Sequence, residues 1–68
     1  MRKYSVRIAG HKTSISLEPE FWRALPRIAQ RRGVSAGALV GEIDQSRSGN
    51  LSSAIRLFVL ADLEARAA

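Results

Sequence analysis

Residues 12–17, KTSISL, alternate polar and apolar side chains, so Ile15 and Leu17 fall on one face of an extended segment and Lys12, Ser14 and Ser16 on the other. Such a strand carries unpaired backbone donors and acceptors along both edges, and they need partners. No second strand is as clean. Residues 2–9 place Tyr4, Val6 and Ile8 opposite Lys3, Ser5 and Arg7, but Gly10 and His11 separate this stretch from the next. Residues 1–11 therefore read as a basic, partly ordered N-terminal arm. The economical partner for a lone strand is the same strand of a second copy, related by a two-fold axis. The resulting antiparallel ribbon turns Ile15 and Leu17 inward and Lys12, Ser14 and Ser16 outward.

Three helices follow. Pro19 suits a first helical turn, Glu20 favours its positive end, and Phe21, Leu25, Ile28 and Ala29 recur at helical spacing, which predicts a helix over 19–32. Pro26 lies inside it and predicts a kink or a broken first turn. Gly33 supplies a left-handed stop, and Ser35 caps a second helix over 36–46 with Leu39, Val40 and Ile43 as its apolar positions. SRSGN (46–50) is a turn, and Asn50 or Ser52 caps a third helix over 51–65. Apolar side chains cover well over half the circumference of that third helix, so it reads as buried on two sides.

The chain has 68 residues and no cysteine, so neither a disulfide nor a thiolate metal site can reinforce a small core, and oligomerisation is the remaining support. Eleven Lys and Arg against six Asp and Glu give a net charge of +5. Residues 1–33 hold eight of the cations against Glu18 and Glu20, while residues 34–68 hold three against four acids. The basic half suits a polyanion, and the other half suits subunit contacts. Arg31 and Arg32 need no such explanation, because they end a helix where positive charge is favoured. No Ser-His-Asp set, useful carboxylate pair or Gly-rich phosphate loop points to an enzyme, and no cofactor or metal is expected. The single histidine, His11, lies in a polar turn. The N-terminus lacks the apolar core of a signal peptide, and the longest apolar run, Leu57–Ala61, is far shorter than the roughly 20 residues of a membrane span. A cytoplasmic protein with no membrane contact is expected.

A two-stranded ribbon fits the major groove of B-DNA, where lysine and short hydroxyls meet base edges. In order, a basic arm, a polar-faced strand, a helix, a tight glycine turn and a serine-capped helix resemble the ribbon-helix-helix family, the class of the Arc and Met repressors. KTSISL followed by EPEFWRALPRIAQRRGVSAGALVGEI carries this resemblance over residues 12–46. With SVRIAGHKTSISLEPEFW in front and NLSSAIRLFVL behind, the chain is more specifically similar to a bacterial branch with an added third helix, here residues 47–68 with the tail. The resemblance implies an α+β, mainly helical, intertwined homodimer that binds double-stranded DNA as a small transcriptional regulator. Lys12, Ser14 and Ser16 would then face the bases. The amides of Ser35, Ala36 and Gly37 would grip a phosphate, where helix N-termini favour anions. Arg2, Lys3 and Arg7 suit backbone contacts. Glu18, where a Ser, Thr or Asp cap is more usual, and Pro26 depart from the family pattern.

The homodimer interface is expected at Ile15, Leu17, Leu39, Ile43, Ile55 and Phe58. Gly37 and Gly41 suit close packing of two second helices, and Phe21 and Trp22 suit the core or the dimer rim. The competing reading is an antitoxin-like or adaptor dimer that docks a protein partner through residues 51–65.

Overall fold

The computed structural model describes residues 1–67 as a β-hairpin followed by three helices: β1 (Arg2–Ile8), β2 (His11–Leu17), α1 (Pro19–Arg32), α2 (Ala36–Ser46) and α3 (Leu51–Ala67). The strand and helix order matches the ribbon-helix-helix expectation, including the third helix.

The structure adds a strand pairing that the sequence reading did not assign. Residues 2–8 are not a loose arm; they form β1, which pairs antiparallel with β2 from Arg2↔Leu17 to Ile8↔His11 within one chain. The turn between them makes this possible. Ala9 and Gly10 both have positive φ, 52° and 81°, as a two-residue type I′ hairpin turn requires. Gly10 meets that requirement without strain, and alanine in place of the more usual asparagine weakens the sequence signal.

One row of the hairpin faces inward. Tyr4, Val6 and Ile8 pack against the core beside buried Ile15 and Leu17. The helices close over this row with Leu25, Ile28 and Ala29 from α1, Leu39, Val40 and Ile43 from α2, and Leu51, Ile55 and Val59 from α3. Five residues expected at a dimer interface, Ile15, Leu17, Leu39, Ile43 and Ile55, are thus buried inside the single chain; only Phe58 of that set is half-buried. The second strand is the reason. A hairpin presents enough apolar surface for the three helices of its own chain to cover.

The helix ends follow the chemistry of their caps. α1 stops at Gly33 (φ 73°), where the Gly33 amide donates to the Gln30 carbonyl and the Val34 amide to that of Ala29. The Ser35 hydroxyl accepts from the Ala38 amide at 3.0 Å to open α2, and the Asn50 side chain accepts from the Ser53 amide at 2.8 Å to open α3. Pro26 does not break α1. It sits on the exposed side, while Leu25, Ile28 and Ala29 anchor the opposite side in the core. Glu18 makes no capping bond; its carboxylate instead accepts from Arg56 Nε at 2.8 Å, tying the start of α1 to α3.

Within the single chain α3 is buried on one side. Leu57, Leu60 and Leu63 are 67%, 49% and 49% exposed. No helix among the described residues is long and apolar enough to cross a membrane.

Candidate nucleic-acid interface

Directly opposed residues of an antiparallel pair share a face. The register therefore sets Lys3 beside Ser16, Ser5 beside Ser14, and Arg7 beside Lys12 on the outer side of the hairpin. All six are polar, and all are exposed except Ser16, which is half-buried. The structure thus brings together Lys3, Arg7, Lys12, Ser14 and Ser16 from the sequence reading. It separates Arg2, which opposes Leu17 in the inner row at the open end of the hairpin. Ser5 is the member the sequence reading did not assign. The alternation Lys3, Ser5, Arg7 was its signal, and it became informative only once β1 had a partner strand.

The charges on this face are unbalanced. Neither strand contains an acid, and Arg7 stands opposite Lys12, where like charges repel. Among the described residues, the ion pairs involve Arg31, Arg47, Arg56 and Arg66, and none involves Lys3, Arg7 or Lys12. Arg31 binds Asp62 at 2.7 Å, and the Arg32 guanidinium lies 4.8 Å from the Phe58 ring centroid. The helix-end arginines therefore have intramolecular roles, and the hairpin cations face solvent.

The first turn of α2 lies next to β1. Ser5, Val6 and Arg7 share a cleft of about 240 Å³ with Trp22 and with Ala36, Gly37 and Val40 of α2. The Ser35 side chain satisfies the Ala38 amide, but the amides of Ala36 and Gly37 have no acceptor within the helix. An anion over this end of β1 would meet the Arg7 side chain together with the positive end of the α2 dipole. Trp22 supports the cleft from beneath, stacked on Tyr4 of β1 with ring centroids 4.2 Å apart and planes 6° from parallel.

The family model of the ribbon-helix-helix domain matches residues 1–63. No curated protein and no solved structure matches the chain. With nearly its whole length accounted for by that one domain, the chain belongs to the ribbon-helix-helix family, whose members generally bind DNA as transcriptional regulators or antitoxins.

Proposed function

We propose that the protein is a homodimeric, sequence-specific binder of double-stranded DNA that acts as a small, non-enzymatic transcriptional regulator. The observation that carries this reading is the acid-free outer face of the hairpin, with Arg7 and Lys12 side by side and without an ion-pair partner among the described residues. Two adjacent cations cost stability unless an anion comes to share them. In this reading Lys12, Ser14 and Ser16 meet base edges in the major groove, where lysine donates to guanine O6 and N7 and serine meets several edges. Lys3, Arg7 and the amides of Ser35, Ala36 and Gly37 meet phosphates, and Arg2 adds charge at the open end of the hairpin.

Selection of bound duplexes from a random library, with a Lys12, Ser14 and Ser16 triple alanine variant in parallel, tests the reading. A two-fold symmetric motif that disappears in the variant is expected. An identical motif from both proteins would remove base reading from β2.

One observation favours a second reading. Leu57, Leu60 and Leu63 expose apolar surface along α3, as an antitoxin-like or adaptor protein that docks a partner there would do. Under that reading, Leu57→Lys and Leu60→Lys abolish capture of a protein partner and leave DNA binding intact.

A further inference from the structure

Apolar residues surround well over half of α3, but the core of the chain uses only Leu51, Ile55 and Val59 as fully buried positions. On the far side Leu57 and Leu60 stay exposed, with Leu63 beside them. Among the described residues, the other large apolar side chains left exposed are Met1 at the N-terminus and Val34 between α1 and α2. The exposed leucines are thus gathered on one helix. Ser53, Leu57, Leu60 and Glu64, all exposed, follow one another at spacings of four, three and four residues. That is the heptad spacing by which one helix packs lengthwise on another, and a helix facing only water has no use for leucine there. The two ends of this row differ in charge. Ser53 lies in the first turn of α3, at the positive end of the helix dipole, and that turn contains no acid. Glu64 has no ion-pair partner among the described residues, whereas nearby Asp62 takes both Arg31 and Arg66.

We propose that this face of α3 docks lengthwise and antiparallel on α3 of a second copy, with Leu57 of each copy against Leu60 of the other. The second copy thereby takes the place that the adaptor reading gives to a different protein. In this register Glu64 of each copy lies over the first turn of the other α3, opposite Ser53 and flanked by Arg56, so the free acid meets a hydroxyl donor, a cation and the positive end of a helix. A parallel pairing would instead set Glu64 against Glu64, and like charges placed together cost affinity. The leucines therefore supply the contact and the charges set its direction. A seam of this size is smaller than a standard interface, so it forms at high protein concentration or between copies already held near one another. It uses no residue of the hairpin, and it holds or fails independently of the DNA-binding reading.

Single-cysteine variants at the two ends of the row test the pairing, because the natural chain has no cysteine and both positions are exposed. The eleven positions from Ser53 to Glu64 rise about 16 Å along a helix. In the antiparallel pair each of these residues is about that far from its own copy, well beyond the roughly 7 Å between Cα atoms that a disulfide can span, but lies opposite the other. An equimolar mixture of Ser53→Cys and Glu64→Cys chains, unfolded together and refolded at high concentration, should form the mixed disulfide under mild oxidation. Either variant alone should stay unlinked. Adding Leu60→Lys to both chains should abolish the mixed disulfide while the melting curve of each chain is kept. Ser53→Cys linked to its own copy would mean a parallel pairing, and the absence of any mixed disulfide would leave the α3 face to a different protein. Either result would overturn the proposal, as would a mixed disulfide that survives Leu60→Lys. No DNA is present in this experiment, so duplex selection decides the DNA-binding reading separately.

Discussion

The turn at Ala9 is a point where the fold is both strained and decisive. An L-residue in the left-handed region crowds its Cβ against the following carbonyl, at about 1–2 kcal/mol, and Ala9 sits there at φ 52°. Asparagine tolerates this region, and Asn-Gly is the strongest short signal for a type I′ hairpin. Ala9→Asn should therefore stabilise the protein by about 1 kcal/mol, and Ala9→Val, β-branched at a positive φ, should destabilise it by at least about 1 kcal/mol. Against a total of about 3–10 kcal/mol for a chain of this length, either change is large. Trp22 provides the probe. It is the only tryptophan, and it stacks on Tyr4 of β1, so its fluorescence reports the docked hairpin. With a urea m-value of about 1 kcal/mol/M, each variant shifts the midpoint by about 1 M, in opposite directions and with m unchanged. If both variants unfolded within about 0.3 kcal/mol of the natural chain, β1 and β2 would not be joined by this turn, and the intrachain hairpin would be refuted.

Three further expectations concern the helices. Ser35→Ala removes the bond to the Ala38 amide and should cost about 1 kcal/mol, or roughly 4–8 °C in Tm; an unchanged melting curve would deny the cap. Ile55→Ala, at a side chain with 0% exposure, should cost about 2–5 kcal/mol, whereas Leu57→Ala, at 67% exposure, should change stability by less than about 0.5 kcal/mol. Equal losses in chemical denaturation would contradict the one-sided burial of α3. The hydrogen bond from Arg56, with a smaller contribution from its own backbone amide, holds the Glu18 carboxyl below its ordinary range in the folded chain. A folded pKa below the unfolded one stabilises above the ordinary carboxylate range and loses that contribution as pH falls through and below it. The natural chain should therefore lose more stability than Glu18→Gln between pH 7 and pH 3, and superimposable pH profiles would show that the pair contributes nothing.

Much of this architecture was legible in the residues because local chemistry fixes it. Pro19 and Gly33 bound α1, Ser35 opens α2 and Asn50 opens α3, each through a backbone preference or a capping bond that needs no tertiary partner. The alternation of KTSISL likewise identified the polar face of β2. What escaped the reading depended on long-range packing. β1 looked like an arm because Ala-Gly is a weak turn signal and a basic strand gains little until its Tyr4, Val6 and Ile8 row meets the helices. With that strand in place, Ile15, Leu17 and Ile55 are covered within their own chain. Glu18 was similarly opaque. It looked like a poor cap, and its partner Arg56 lies 38 positions away.

The DNA-binding role rests on which surface of the protein meets the duplex. A ¹⁵N-labelled sample titrated with a selected duplex gives the answer residue by residue. The largest amide shifts should fall on Lys3, Ser5, Arg7, Lys12, Ser14 and Ser16, and on Ala36 and Gly37 at the start of α2. Shifts concentrated between Leu57 and Leu63 of α3, with the hairpin amides unmoved, would contradict it.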